Sequence, residues 1–412
     1  MGREKLGAGT FWAGVVVAAV ALFGARVASS MRAPGRGEFA AYWTAARLVS
    51  EGAPVGPFYD DEAFRASLRE KGIAQNDIWY PNPPTTAFAF LPLAALPYPL
   101  ARAAWVGLSA GLLLATAAGL ARISKLRGAF LAAFLLFALH GQPSRADLGH
   151  GQIYALATAL LALAARELLA GRTGRFGGVL GVLAVVKLAG SHLWLLALPR
   201  RRRDGLVWGG LTAAGLLLLS VPFVGVAGWR AFLSVPARIA GDTSFSVTAF
   251  QSLGGLVRRL LVPDARWNPR PLLDAPVAAS ILLVVVQAAL AGAVLLAVFR
   301  GRSEALAFSS AILATLLASP FTQDYTFVQA TVPAAFVLSV LQERPARGPI
   351  LAALAGMALI GAADGHKSAA LQDGAFVFLA YPKVYGALLL LGVALRLSTD
   401  GPVRVEGAAV RP

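Results

Sequence analysis

The sequence predicts an all-α integral membrane protein with about ten full spans, arranged as a single transmembrane domain over residues 1–412. Of the 412 residues, 57% are hydrophobic and only 14% are charged, whereas soluble proteins carry about 25% charged residues. Many apolar runs approach the roughly 20 residues that a helix needs to cross the core of a bilayer. Lysine and arginine cluster between alternate runs, which is the pattern of cytoplasmic loops.

Ten apolar runs are predicted to form the spans. The first follows Arg3 and Lys5 and lacks a small-residue cleavage site, so we predict a retained helix rather than a signal peptide. In chain order the predicted spans are residues 11–31, 98–120, 128–142, 151–169, 205–227, 275–299, 305–319, 324–342, 349–363 and 376–396.

The basic residues orient these spans. With a cytoplasmic N-terminus, the inner segments hold about half of the 37 lysines and arginines. The short outer connections at 143–150, 320–323 and 364–375 then hold only Arg145 and Lys367, so both termini are predicted to be cytoplasmic. Most of the net charge of +16 is thereby assigned to contacts with anionic membrane lipids. Nucleic acid is excluded as a partner because no basic–aromatic groove pattern accompanies the charge.

One segment breaks the simple count of spans. Arg175 and Arg200 both belong to the inner side, yet the apolar run 176–199 between them is long enough for only one crossing. The charge rule therefore predicts a hairpin of two short helices that turns between Lys187 and His192. A lysine at membrane depth must be paired or face a water-filled cavity, and non-helical backbone there must line protein or a cavity.

Two long outer loops, at 32–84 and 228–274, are predicted to carry short amphipathic helices. The first is much longer than a connector needs to be, and it is rich in acidic and aromatic residues. We interpret it as the reaction face of a membrane enzyme whose active site faces outward, since the arginines lie on the opposite side. The proline-bounded stretch 85–97 is predicted to be a second re-entrant piece, and the tail 397–412 to be cytoplasmic and disordered.

No metal ion and no cofactor are predicted. The chain has no cysteine, which excludes disulfides and thiolate ligands. Its four histidines are scattered along the chain, at positions 140, 150, 192 and 366, so a histidine-rich metal site is not expected either.

A series of motifs runs in order from Gly37 to about Leu341. The motifs are GEFAAYWTAARLVSEG, FYD at 58–60, YPNPPTTAFAFLPLAALP followed by ARAAWVGLSAGLLL, GHGQIYALATALLALA, GVLGVLAVVKLAGSHLWLLALPRRRR, SVTAFQSLGGLVRRLL and LASPFTQDYTFVQATVPA. In this order and spacing they resemble glycosyltransferase family 87, the polytopic polyprenyl-phosphate-sugar-dependent transferases of the GT-C fold. The chain departs from the family at two positions: Glu38 stands where the family usually has aspartate, and Gln323 stands where members often have histidine.

The resemblance implies a GT-C-like helical bundle and an inverting sugar transfer in the cell envelope. The donor would be mannose or a similar sugar on a polyprenyl phosphate, and the acceptor a hydroxyl of a glycolipid or glycan on the outer face of the cytoplasmic (inner) membrane. Such a reaction needs a carboxylate to take the acceptor proton and cations or hydrogen-bond donors to stabilise the departing phosphate. It also needs an apolar groove for the prenyl tail.

Glu38 is the predicted catalytic base, with Asp60 and Asp61 as alternative bases. The predicted donor-phosphate residues are Lys187, His192, Arg258 and Arg259, and the predicted sugar or acceptor residues are Tyr42, Trp79, Tyr80, Asn82, His150, Gln152, Gln323 and Asp324. Structural interpretations stay open beside these roles. Acidic residues are common at helix N-termini, and Glu38, Asp324 and the acidic run Asp60–Glu62 stand at such positions. Aromatic residues are frequent at membrane interfaces.

Three other functions remain open. A transporter or flippase of lipid-linked sugars would use similar grooves, but inverted repeats are typical of transporters and none is visible in the sequence. A non-catalytic relative would explain Glu38 and Gln323, because the extra methylene displaces the carboxylate by about a bond length and such displacements are costly in catalysis. A third alternative is a transferase of the same fold that uses a different lipid donor.

Overall fold

The computed structural model describes residues 2–32, 37–75, 77–363, 365 and 368–399, and within them the chain is helical, with one isolated β-bridge between Asp264 and Asn268. The α-helices are α1 (Gly2–Arg32), α2 (Phe39–Ser50), α3 (Asp61–Glu70), α4 (Leu91–Ala94), α5 (Tyr98–Ile123), α6 (Gly128–His140), α7 (Gln142–His150), α8 (Tyr154–Leu169), α9 (Thr173–Val186), α10 (Arg203–Leu233), α11 (Val235–Gly241), α12 (Leu253–Leu261), α13 (Pro276–Arg300), α14 (Glu304–Ala318), α15 (Thr331–Glu343), α16 (Arg347–Gly361) and α17 (Pro382–Thr399).

The centre of the bundle is formed by α14 and α15. Every residue from Ala305 to Leu317 and from Thr331 to Leu341 is buried, as expected for helices that are apolar on all sides. Helices α10 and α13 instead present apolar side chains on the outer surface, where Leu218 and Val284 are each 71% exposed. A helical protein that is apolar both inside and on large parts of its surface is a membrane protein.

Each predicted span coincides with helical structure, but not every helix is long enough to cross a bilayer. By length and composition, five of the described helical segments qualify: Thr10–Arg32, Tyr98–Ile123, Arg200–Ile239, Pro276–Arg300 and Asp324–Glu343. A pair bent by 56°, Gly374–Ala380 with Pro382–Thr399, makes a sixth if it is one span. The remaining predicted spans are helices of 13 to 16 residues, α6, α8, α14 and α16. The number of ten full spans and the cytoplasmic position of the termini therefore stay predictions.

Helices α9 and α10 run parallel and in close contact. Gly177 lies against the carbonyl of Gly205, and Gly181 lies against that of Gly209, so a Cβ atom at position 177 or 181 would collide with the α10 backbone. Because the two helices start at the same end, the chain between them has to turn back over the length of α9. It does so after Val186, through Gly190 (φ +74°) and a 3-10 helix, Ser191–Ala197. This reversal is what the hairpin predicted for residues 176–199 requires.

The first predicted outer loop folds as a compact unit with its own hydrophobic cluster. Helices α2 and α3 and the 3-10 turn Gly56–Tyr59 bury aromatic side chains there, among them Phe39, Phe58 and Phe64. The far end of α10 joins this cluster after a kink at Gly225, three residues beyond Pro222. The stretch 85–97 forms a 3-10 helix, Pro84–Phe90, and the short α4.

The second predicted loop, 228–274, contains the end of α10 and the two short helices α11 and α12. Helix α17 extends to Thr399, so the first residues of the predicted tail are helical. Residues 400–412 lie outside the described part of the chain, as do residues 33–36 of the first loop.

Candidate active site

A cavity of about 680 Å³ lies where the first loop, the α7–α8 turn, the hairpin turn and the segment between α14 and α15 meet. Nine of the residues predicted from the sequence line it: Glu38, Tyr42, Trp79, Asn82, His150, Gln152, Lys187, His192 and Gln323. The cavity thus combines two acidic residues, Glu38 and the unpredicted Asp77, with one lysine and several neutral hydrogen-bonding groups from distant parts of the chain.

Glu38 precedes α2 and directs its side chain to α7 rather than to its own helix. It occupies the N-cap position but makes no capping hydrogen bond. Its Oε2 lies 2.9 Å from Nδ1 of His150, and the Glu38 side chain is 31% exposed. The helix-capping alternative for Glu38 is therefore not what the structure shows.

The ionisation of Glu38 follows from its neighbours. Burial in the cavity wall would by itself raise the pKa of the carboxyl group. The hydrogen bond and charge of His150, with the charge of Lys187, outweigh that effect and hold the Glu38 pKa below its ordinary value. Glu38 is consequently a carboxylate at neutral pH and is able to accept a proton.

Lys187 supplies the cation of the cavity. Its Nζ donates hydrogen bonds to Oδ1 of Asn82 at 2.5 Å and to the hydroxyl of Tyr42 at 3.2 Å. It also lies over the rings of Tyr154, at 4.9 Å, and Tyr42, at 5.5 Å, in cation–π geometry. The Tyr42 hydroxyl in turn donates to Oε1 of Gln152 at 2.6 Å. The ammonium group thus contacts side chains from three separate segments, and Gln152 orients one of them, Tyr42.

The backbone around Lys187 is fixed from both sides. The hydroxyls of Thr85 and Thr86 each donate a 2.5 Å hydrogen bond to a carbonyl of the last two residues of α9, which satisfies groups that a helix end leaves without partners. The next residue, Leu188, has a φ of +53°, a conformation that costs a non-glycine residue about 1–2 kcal/mol. Such strain is found preferentially at functional sites.

Gln323 forms part of the cavity wall and also begins a helix. Its side chain and that of Thr326 cap the 3-10 helix Asp324–Ala330 reciprocally. The ring of Tyr325, next along the wall, lies 5.8 Å from that of His150 and 5.6 Å from that of Tyr154. Asp324 instead leaves the cavity and pairs with buried Lys383 at 3.4 Å.

His192 and Trp79 line the cavity with partners of their own. His192 Nδ1 lies 3.3 Å from the hydroxyl of Thr315. The Trp79 ring lies under the guanidinium of Arg238, at 5.3 Å, and beside Phe321. Trp79 is therefore a cavity residue as well as part of the packing of the first loop.

The two alternative bases do not reach the cavity. Asp60 caps α3, accepting hydrogen bonds from the backbone N–H groups of Glu62 and Ala63, and Asp61 pairs with Arg238 at 3.3 Å. Both carboxylates act as helix N-terminal residues. Tyr80 is also outside the cavity wall; it is buried in the loop cluster and donates to the carbonyl of Pro83.

The two predicted phosphate-binding arginines of the second loop are likewise engaged elsewhere. Arg258 donates to the carbonyl of Asp242 at 3.2 Å. Arg259, whose side chain is 3% exposed, donates to the carbonyls of Trp267 and Gln372 and pairs with Asp373. The proposal that these arginines bind the donor phosphate has no geometric support.

The sequence reasoning missed several residues of the cavity. Tyr154, Thr315 and Gln287 line it. Each lies within a predicted membrane span, and the hydrophobicity of a span does not show which of its residues face a cavity. Asp147, fully buried in α7, lies beside the cavity and accepts a hydrogen bond from the backbone N–H of Tyr154. The only sequence signal for this part of the cavity wall is the position of Asp147, two residues before the GHGQ motif.

Among the described residues, no group of three or more His, Cys, Asp or Glu side chains is placed to hold a metal ion. The acidic and lysine side chains of the cavity lining are Glu38, Asp77 and Lys187.

Comparison with known proteins gives one match. No curated protein and no solved structure matches the chain. The sequence model of glycosyltransferase family 87 matches residues 80–320, which is more than half of the chain and includes His150 and Lys187. The match begins after Glu38 and ends before Gln323, so both departures from the family pattern lie outside it. The chain belongs to glycosyltransferase family 87, and it is a membrane protein of the glycosyltransferase class.

Proposed function

We propose that this glycosyltransferase moves mannose or a related sugar from a polyprenyl-phosphate donor to a hydroxyl group of a glycolipid or glycan, on the outer face of the cytoplasmic membrane. The observation that carries the proposal is that Glu38 and Lys187 line the same cavity. They lie close enough for the charge of Lys187 to lower the pKa of Glu38. A proton acceptor and a fixed cation are the two groups that the reaction needs.

In the proposed reaction, the acceptor oxygen forms a bond to the anomeric carbon as the bond from that carbon to the lipid phosphate breaks. Glu38 takes the proton of the acceptor hydroxyl, and the phosphate leaves with the bonding electron pair. Attack from the face opposite the phosphate inverts the anomeric configuration. Because the low pKa of Glu38 makes it a weak base, proton transfer has to accompany formation of the new C–O bond, when the hydroxyl becomes acidic.

Lys187 stabilises the charge that develops on the departing phosphate. Its ammonium group is already oriented by Asn82 and Tyr42, so little reorganisation is needed at the moment of reaction. Removing one such preorganised group typically slows an enzyme about 10²- to 10³-fold. His192, on the same wall, is the second candidate for the phosphate.

The lipid nature of the donor is supported by where the cavity ends. Gln287 of α13 and Leu188 of the hairpin turn both line it. On α13, the nearby side chains of Val284 and Val285 are 71% and 55% exposed, and Leu188 is 58% exposed. A polar cavity that reaches apolar outward-facing residues suits a ligand with a sugar-phosphate head and a hydrocarbon tail.

The test uses the purified protein in lipid vesicles with radiolabelled polyprenyl-phosphate mannose, polyprenyl-phosphate glucose and nucleotide sugars, supplied with extracts of membrane glycolipids. We expect label transfer from a polyprenyl-phosphate sugar only. Glu38→Gln is expected to abolish most of the transfer, and Glu38→Asp to retain part of it because the carboxylate is kept.

Each other outcome contradicts a different part of the proposal. Transfer from a nucleotide sugar alone would replace the lipid donor. Movement of the labelled lipid across the vesicle membrane without glycosidic bond formation would indicate a flippase. Absence of both, with folded protein and with every donor, would indicate a non-catalytic member of the family.

A further inference from the structure

We infer that His150 is the positioning residue of Glu38, holding one carboxylate oxygen so that the other faces the acceptor hydroxyl; this inference rests on the proposed function. The contact that suggests it is the 2.9 Å separation of His150 Nδ1 from Glu38 Oε2. A carboxylate only accepts hydrogen bonds, so Nδ1 carries the proton in this contact. The Tyr325 side chain also hydrogen-bonds the Glu38 carboxylate, and in the proposed arrangement Oε1 takes the acceptor proton.

The backbone brings the two residues together without slack. Gly37, at φ +133°, lies so close to His150 that a Cβ at position 37 would be 2.7 Å from the His150 Cα. Gly151, at φ +63°, lies equally close to Phe39, again 2.7 Å from Cβ to Cβ. Gly37 and Gly151 therefore allow the segment that carries Glu38 to lie directly against the segment that carries His150. A residue with a Cβ atom does not fit at these separations.

The turn that carries His150 is itself fixed by α5. Arg102, a residue that is 3% exposed, donates to the carbonyl of Gly149 at 2.9 Å. Trp105 donates through Nε1 to the carbonyls of Gly151 and Gln152, each at 3.1 Å. Two buried side chains of a long helix thus hold the backbone on both sides of His150. Positioning residues need such support, because catalytic groups lose rate with displacements of a fraction of an ångström.

Asp77 and His192 line the same cavity as Glu38, and the charged and titratable groups that interact electrostatically with Glu38 come from five segments. They are Tyr42 of α2, Asp147 and His150 of α7, Tyr154 of α8, Lys187 of the hairpin turn and Tyr325 of the helix Asp324–Ala330. Of these, His150 and Lys187 favour the ionised carboxylate. Replacing His150 by leucine removes the nearer of the two, so the pKa of Glu38 is expected to rise.

The experiment measures kcat, KM and the pH dependence of transfer for wild type, His150→Leu, His150→Asn and Glu38→Gln in vesicles. The asparagine amide nitrogen takes nearly the position of Nδ1, so His150→Asn keeps the hydrogen bond. We expect His150→Leu to lower kcat about 10- to 100-fold, the loss typical of a hydrogen bond to a charged group, with little change in KM. Because the base works only when ionised, transfer falls as the pH drops through the pKa of Glu38, and in His150→Leu this fall is expected at higher pH.

His150→Asn is expected to recover most of the rate and the wild-type acid limb. His140→Leu serves as the matched control, since His140 contacts the Ala19 carbonyl at 2.9 Å and does not line the cavity. Wild-type kcat and acid limb in His150→Leu would overturn the inference, and so would an asparagine variant as slow as the leucine variant. If Glu38→Gln keeps the wild-type rate, the proposed base fails instead, which separates the two failures.

Discussion

Two sets of cations in this protein look alike in the sequence and differ in the structure. Lys187 stands in the cavity wall, where its ammonium group contacts the side chains of Asn82 and Tyr42. The guanidinium group of Arg259, in the second loop, donates hydrogen bonds to the backbone carbonyls of Gln372 and Trp267. Lys187 contacts groups around an open volume, whereas Arg259 closes a gap between two parts of the chain.

The same contrast separates the carboxylates of the first loop. Glu38 leaves its own helix without a side-chain cap and faces the cavity, whereas Asp60 caps α3. A polar residue in a loop therefore becomes a candidate for chemistry only when local backbone groups do not use it. The predictions below test this rule from its largest expected effect to its smallest.

The carboxylates offer the sharpest contrast in rate. Glu38→Gln removes the proposed base and is expected to slow transfer about 10²- to 10⁴-fold. Asp60→Asn makes the same chemical change at a helix cap and is expected to leave transfer unchanged, because asparagine caps helices as well as aspartate does. Initial rates of label transfer from the polyprenyl-phosphate donor compare the two. Equal losses would show that cavity position does not select the base.

A buried ion pair beside the cavity allows the structural role of a cation to be tested by stability rather than by rate. Lys383 has a fully buried side chain and Asp324 is 7% exposed. Lys383→Met strands the carboxylate in the core, at a cost of about 3–5 kcal/mol, whereas the double variant with Asp324→Asn is expected to regain much of that loss. Thermal unfolding in detergent measures both. Lys383 belongs to α17 and Asp324 to the 3-10 helix Asp324–Ala330. If the double variant is no more stable than the single one, this ion pair does not hold the two helices together.

The smallest effect is expected at the α3 cap. Asp60→Ala removes the acceptor for two backbone N–H groups and is expected to lower stability by about 1 kcal/mol, with Asp60→Asn as the neutral control. Transfer per folded molecule should not change. A loss of transfer at equal stability would return Asp60 to the list of candidate bases.

Much of this fold could be predicted because apolar runs and basic loops are direct physical signals. All ten predicted runs coincide with helical structure, and the hairpin turn follows from the position of Arg175 and Arg200 alone. Span length was less predictable, because composition marks an apolar run without showing where its helix ends: the predicted spans 128–142 and 305–319 correspond to helices of 13 and 15 residues, α6 and α14.

The cavity was predictable where distant segments are forced to one end of the bundle. Glu38, Lys187 and Gln323 all stand at turns between apolar helices, so topology brings them together. Arg258 and Arg259 are on a short helix of a long loop, where sequence does not tell which face packs inward. The contact between Glu38 and His150 was not predictable, since it depends on the close approach that Gly37 and Gly151 allow.

The most direct measurement compares Lys187→Met with Arg259→Met in the same vesicle preparation, recording transfer per folded molecule and the unfolding temperature of each. We predict that Lys187→Met loses about 10²- to 10³-fold in transfer and keeps its unfolding temperature. Arg259→Met is predicted to unfold at a lower temperature, since it leaves buried carbonyls without donors, and to keep its transfer rate while folded. If both variants lose transfer and stability together, the distinction between a catalytic cation and a structural one is contradicted.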